Sequence, residues 1–253
     1  MADWVPDLSM PTSVHVIGVG GAGMSAIAEV LATMGHSVSG SDLKASSGLD
    51  RLSALGVDVR VGHAADNLGD VAFVTRSTAV PDANPECRKA VERGLPLLSR
   101  AEVLGAVSTL RDTVAVAGTH GKTTTSSMLA LVLREAGLRP SFVIGGDVNE
   151  IGTGAAWDEG DLFVVEADES DSSFLELSSR YGVVTNLEPD HLEHHGGFQP
   201  LVEAFDRFVD AVDGPVVVGS DDLEGAALAA RHGVETVVTA DRSEEHTSEL
   251  QSP

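Results

Sequence analysis

The sequence predicts an α/β fold built on two parallel sheets in succession. Three observations predict it. Short apolar strands alternate with amphipathic helices along the whole chain. A glycine-rich turn separates the first strand from the first helix. The same strand–glycine turn–helix unit then recurs near residue 112, where the pattern restarts. At 253 residues the chain exceeds the usual single-domain size, and 42% hydrophobic residues suffice to fill two cores.

Each element follows from local pattern. "VHVI" is an apolar strand ending at Ile17. After the glycine turn, Ile27, Val30, Leu31 and Met34 recur at helical spacing. "HSVSGSD" gives the next strand, ending at Asp42. "LDRLSALG" is a helix, "VDVRVG" a third strand and "VAFVTRSTAV" a fourth. "NPECRKAVERG" reads as a helix with Pro85 in its first turn. A short strand "LPLL" and a helix "SRAEVLGAVS" complete the first unit. Beyond a joint at Ser108–Asp112, "DTVAVAG" is a strand and "KTTTSSMLALVLREAG" a helix. "SFVIGG", "LFVVEAD" and "YGVVTNL" are three more apolar strands. "PLVEAFDRFVDAV" places Leu201, Phe205, Phe208 and Val212 on one helix face, and "GPVVVG" and "ETVVTA" continue the sheet. The expected division is a Rossmann-like domain over residues 1–109 and a P-loop ATPase-like domain over 110–241. Residues 242–253, "RSEEHTSELQSP", show no apolar periodicity and follow a strand where a helix is due. They resemble the translation of a sequencing adapter, so a non-native tail on a truncated second domain is expected.

The formal charge of -23 argues against a nucleic-acid or anionic-membrane partner, since both need a cationic face. It does not exclude a small anion, because local donors and bound Mg²⁺ reverse the potential locally. Lysine occurs only at Lys44, Lys89 and Lys122. Cys87 is the single cysteine, which fits a reducing compartment. The N-terminus lacks a cationic region followed by an apolar run. No stretch reaches the ~18 apolar residues of a membrane helix. A soluble cytoplasmic protein is expected.

Gly18, Gly20 and Gly23, with Gly21 between them, match G-x-G-x-x-G at a strand-to-helix turn. One glycine makes the turn, one admits a diphosphate and one lets the helix pack closely, with helix N–H groups facing the anion. Asp42, at the end of the next strand, is within reach of a ribose hydroxyl. Arg100 adds a candidate charged hydrogen bond. The loop leaves NAD and a nucleotide sugar both open.

The second loop, "VAGTHGKTTTSS", departs from the usual phosphate-loop spacing: Val116 stands where the early glycine is expected. Gly118, Thr119, His120, Gly121, Lys122, Thr123 and Thr124 still form a glycine turn into a helix. Amides from Thr119 to Thr123 are expected to point at phosphate oxygens. Lys122 is placed for the β/γ-phosphates and Thr123 for Mg²⁺. An ATP site therefore needs acids from a neighbouring strand end, and "LFVVEADESD" supplies them. Glu166, nearest the strand end, is the first-choice metal ligand, followed by Asp168 and Glu169. Crowded carboxylates repel unless a cation neutralises them. In "TNLEPDHLEHHGG", His191 is a candidate for a second Mg²⁺ or the γ-phosphate, and His194 and His195 read as loop residues.

Taken together, "GVGGAGMSAIAEVL", "GSD", "NPE", "SRAEVL", "GTHGKTTT", "EADESDSSFL" and "TNLEPDH" resemble the Mur ligase family, in family order from Ser13 to about His195. The resemblance implies that the first loop binds a UDP-sugar through Gly18, Gly20, Gly21, Gly23, Asp42 and Arg100. It implies that "GTHGKTT" is the family's own phosphate loop. It puts Mg²⁺ on Thr123, Glu166 and His191, and catalysis on Lys122, Glu166 and His191, with Asn186 nearby. Within the family the motifs point to the member that joins L-alanine to UDP-N-acetylmuramate through an acyl phosphate in cell-wall synthesis. A related reading is the ligase that recovers murein tripeptide. A reading of another class, an NAD-binding oxidoreductase, leaves the second loop and Glu166 unexplained. The family has a third domain that helps hold ATP and the amino acid. Without it, this chain is expected to be inactive alone.

Overall fold

The computed structural model describes residues 4–148, 151–169, 173–190 and 192–238. The first sheet comprises β1 (Ser13–Ile17), β2 (Ser37–Asp42), β3 (Asp58–Val61), β4 (Phe73–Arg76) and β5 (Leu97–Ser99). They lie in the order β3-β2-β1-β4-β5, every pair parallel. Helices α1 (Ala22–Thr33), α2 (Ser47–Ala54) and α3 (Pro85–Glu92) lie in the crossovers, and α4 (Arg100–Ser108) leads from β5 to the second sheet. The order reverses between β1 and β4, which opens a crevice at the strands' carboxyl ends. The glycine loop empties into that crevice.

Seven strands make the second sheet: β6 (Asp112–Ala117), β7 (Ser141–Val148), β8 (Thr153–Ala156), β9 (Leu162–Glu166), β10 (Tyr181–Val184), β11 (Val216–Gly219) and β12 (Glu235–Val237). Their order is β12-β11-β10-β6-β9-β7-β8. All pairs are parallel except β7–β8, an antiparallel hairpin that a purely parallel expectation does not contain. Helices α5 (Lys122–Glu135), α6 (Leu192–His195), α7 (Phe198–Ala211) and α8 (Leu223–His232) accompany it. β6 lies centrally, between β10 and β9, so the phosphate loop at its end is flanked by the ends of both neighbours.

Leu201, Phe205 and Phe208 on α7 are buried, as their spacing requires. Phe174 packs against Phe205 and Phe208, with ring centroids 5.3 Å from each. One apolar cluster runs through both sheets, from Val14 and Ile27 by way of Val103 and Leu104 to Phe163 and Phe205. Helix α4 makes much of this joint. Its Gly105 approaches Glu176 so closely that a Cβ would sit 2.6 Å from the Glu176 carbonyl oxygen. Ser108 Oγ accepts the Ser178 amide at 2.9 Å. On α1, Glu29 accepts a hydrogen bond from Thr153 Oγ1 of β8 at 3.0 Å. Among the described residues no helix is long and apolar enough to cross a membrane. The tail from residue 242 onward lies outside the described residues.

Candidate active site

The loop after β6 is shaped by two glycines and by the segment after β10. Gly121 takes the left-handed conformation at φ 80°, which turns the chain into α5 at Lys122. Gly118 (φ 129°) lies against Thr185, whose Oγ1 would collide with any Cβ there. Thr185 Oγ1 donates to the His120 carbonyl at 2.6 Å. The Asn186 side chain brackets His120, accepting its amide and donating to its carbonyl, both at 2.9 Å. The Asn186 carbonyl also accepts the Thr119 amide at 3.2 Å. These contacts correct one expectation: the Thr119 and His120 amides shape the loop and are bonded to Asn186 instead of facing outward. The donors left without intrahelical partners are the first-turn amides of α5, at Lys122, Thr123 and Thr124.

Two carboxylates at the end of β9 meet this turn. In the β6–β9 register Val116 lies opposite Glu166, so β9 ends beside the loop. Glu166 Oε1 accepts the Thr123 hydroxyl at 3.0 Å, and its Oε2 accepts the Gly145 amide at 2.6 Å. Three residues on, Glu169 holds the Lys122 ammonium, with its two carboxylate oxygens 3.0 and 2.7 Å from Nζ. Nζ also donates to the Gly118 carbonyl at 2.7 Å. The Glu169 side chain is only 1% exposed. Burial raises its carboxyl above the ordinary range, and the hydrogen bond from Lys122 works against that rise. The Thr123 hydroxyl and Glu166 carboxylate form a hard oxygen pair. They fit Mg²⁺, which takes one or two protein oxygens and keeps waters and phosphate for the rest.

His191 lies outside the described residues, as does the His194 side chain. The residues just before His191 do reach the loop: His120 Nε2 is 3.8 Å from Glu188 and 3.9 Å from Asp190. His195 is not in a loop. It ends the short helix α6, and its Nε2 donates to the Glu169 carbonyl at 2.6 Å. Glu169's pairing with Lys122 and the Gly145 amide's hold on Glu166 are not readable from spacing. The apolar run through Glu166 signals only where the acids begin.

At the first loop, the Gly20 amide donates to Asp42 Oδ2 at 2.9 Å, so Asp42 steadies the loop itself. Arg100 opens α4 behind a capping box of Ser99 and Glu102. Its side chain lies over Gly23, where a Cβ would stand 3.1 Å from Arg100 Cδ. A cavity of about 1180 Å³ adjoins both halves. Gly21, Gly23 and Arg100 line it from the first half, and Gly145 and Asp168 from the second.

Comparison with known proteins gives this geometry a context. Residues 13–111 match the catalytic domain of the Mur ligase family, and residues 116–252 match the Mur ligase middle domain. UDP-N-acetylmuramate–L-alanine ligase of Renibacterium salmoninarum is 50% identical over 234 residues, covering 91% of this chain and 50% of that protein. The ligase of the same name from Solidesulfovibrio magneticus is 49% identical over 86% of this chain and 48% of that protein. The chain thus spans about half the length of the curated relatives it matches. Among solved structures, UDP-N-acetylmuramate–alanine ligase from Thermotoga maritima superposes with a TM-score of 0.80 at 31% identity, over 90% of this chain and 53% of that one. A UDP-N-acetylmuramate:L-alanyl-γ-D-glutamyl-meso-diaminopimelate ligase from Neisseria meningitides gives the same TM-score, 0.80, and the same identity, 31%, over 90% of this chain and 77% of that one. With both halves matched in order and the phosphate loop facing its acids, the chain belongs to the Mur ligase family.

Proposed function

We propose that this chain carries the sugar-nucleotide part and most of the ATP part of a ligase joining L-alanine to the carboxylate of UDP-N-acetylmuramate, in the cytoplasm. One observation carries the reading: Lys122 and Thr123, adjacent at the start of α5, each face a carboxylate from the end of β9. That arrangement suits a metal-bound triphosphate and has no use in a nicotinamide enzyme. The relatives near 50% identity supply the substrates.

In this reading the sugar diphosphate rests on the start of α1 at Gly20, Gly21 and Gly23, with Arg100 over it. The ATP phosphates rest on the first turn of α5. The muramate carboxylate reaches the γ-phosphate within the shared cavity. A carboxylate oxygen bonds to the γ-phosphorus, the bond to the ADP oxygen breaks, and an acyl phosphate forms. The alanine amine then bonds to the acyl carbon, loses a proton, and phosphate leaves. Mg²⁺ held by Thr123 and Glu166 supplies charge neutralisation when bound. Lys122 directs its ammonium at the γ-phosphate, and the α5 amides fix the phosphates in line, since phosphoryl transfer depends mainly on positioning and charge. His191 is proposed as a further metal ligand.

The test extends the chain to the full length of its relatives and follows phosphate release from ATP. Release is expected only with both UDP-N-acetylmuramate and L-alanine present, and Lys122→Ala is expected to lower it by about 1000-fold or more. Undiminished turnover in that variant ends the mechanism. The equal structural likeness to the tripeptide ligase supports a second reading. Turnover with the tripeptide and none with L-alanine would favour it.

A further inference from the structure

We infer that Glu169 determines which form of the nucleotide the loop accepts: it is a buried counter-charge that disfavours the free tetra-anion more than its magnesium complex. The inference rests on the reading of the β6–α5 loop as an ATP site. It concerns a residue that plays no ligand role in that reading.

The geometry leaves the ammonium of Lys122 committed. It donates to the Gly118 carbonyl at 2.7 Å, spans both Glu169 oxygens, and has the Thr119 carbonyl at 3.4 Å. Its charge is therefore already neutralised before a phosphate arrives. Glu169 cannot swing into water, because its side chain is 1% exposed. Among the described residues its Oε2 has no hydrogen-bond partner beyond the ion-pair contact with Lys122. Its backbone is pinned as well, since its carbonyl accepts from His195. Any phosphate oxygen that approaches Lys122 thus approaches a fixed negative charge. Glu166 is placed differently, with its oxygens turned to the Thr123 hydroxyl and the Gly145 amide, where a cation takes them over.

Coulomb repulsion scales with ligand charge. Free ATP near neutral pH carries about four negative charges and its magnesium complex about two, so Glu169 penalises the free form about twice as strongly in free energy. A neutral isostere removes that penalty and keeps an oxygen acceptor for Lys122. The pair is thus a selectivity device: it holds the lysine in place and makes the metal a condition of nucleotide entry.

Calorimetric titration of the full-length protein with ATP tests this, once in excess EDTA and once in excess Mg²⁺. Glu169→Gln is expected to tighten free ATP by about 10-fold and the magnesium complex by about 3-fold, narrowing the preference between them. Glu169→Asp, which keeps the charge, is expected to retain the parental preference. A Glu169→Gln variant that weakens both forms, or shifts both equally, overturns the inference. A second measurement needs no nucleotide. In ¹⁵Nζ-lysine spectra of the same full-length protein, the Lys122 signal is the one that Lys122→Arg removes. That signal is expected to move in Glu169→Gln, and an unmoved signal also overturns the inference. If the wild-type protein binds neither form while Lys122 does move in the variant, the ATP reading fails and the pairing stands.

Discussion

Glu86 shows how one residue can hold a loop from below. It is fully buried in the first turn of α3, behind the Asn84 cap. It accepts from Ser41 Oγ at 2.5 Å, Asn67 Nδ2 at 2.6 Å and the Ala64 amide at 3.1 Å. His15 and His63 lie 3.5 and 3.4 Å away. Burial opposes its ionisation, but the nearby His15 and the hydrogen bonds from Ser41, Asn67 and the Ala64 amide outweigh it and hold the pKa at about 2 instead of 4.5. Ser41 adjoins Asp42, so this buried charge braces the floor of the first glycine loop. A depressed pKa contributes stability above the unfolded value that is lost as pH falls through the folded one. The contribution is about 3 kcal/mol, present above about pH 4.5 and gone near pH 2. Urea unfolding of the wild type is expected to weaken steeply across that window. Glu86→Gln is expected to be less stable at neutral pH and to show a shallower slope. Parallel curves for the two proteins would remove Glu86 from the acid response.

The β6–α5 loop is the element on which the proposed chemistry rests. Gly118→Ala would force a Cβ into Thr185 and strain a backbone at φ 129°. The expected cost is about 3 kcal/mol in urea unfolding, with loss of ATP binding at temperatures where the fold persists. A change under about 0.5 kcal/mol would show that the loop moves off Thr185 freely. Most elements were legible because their apolar residues repeat at the right period, as Leu201, Phe205 and Phe208 do on α7. β8 was not: "TGAA" has one β-branched residue and gains its place by pairing with β7 and packing against α1. Nor was α8, "LEGAALAARH", which buries Leu228 as its one large side chain beside Gly225 and Ala229, although the Asp222 cap and the left-handed Gly233 at its end are readable signals. The site divides the same way. The order Gly-Lys-Thr and the acids after an apolar run can be read in one dimension. The choice of Glu169 for Lys122 and Glu166 for Thr123 depends on sheet register and depth, which spacing does not carry.

At the scale of the whole molecule, two features oppose each other. A single apolar core runs through both sheets and ties them into one body. Against it stand 39 acidic residues and only 16 lysines and arginines, a net charge of -23. Compaction brings these charges closer than they lie in the unfolded chain, so self-repulsion destabilises the native state. Salt screens that repulsion: the Debye length falls from ~30 Å at 0.01 M to ~10 Å at 0.1 M. Sodium chloride is therefore expected to raise the urea midpoint over this range, most steeply at the low end where repulsion between distant carboxylates is still felt. Paired contacts such as Lys122–Glu169 are too close and too buried to respond equally, so the net slope is positive. The measurement is urea unfolding at several sodium chloride concentrations at neutral pH. A midpoint that falls with salt would mean that attractive pairs, and not the excess of acids, dominate the electrostatics of the folded chain.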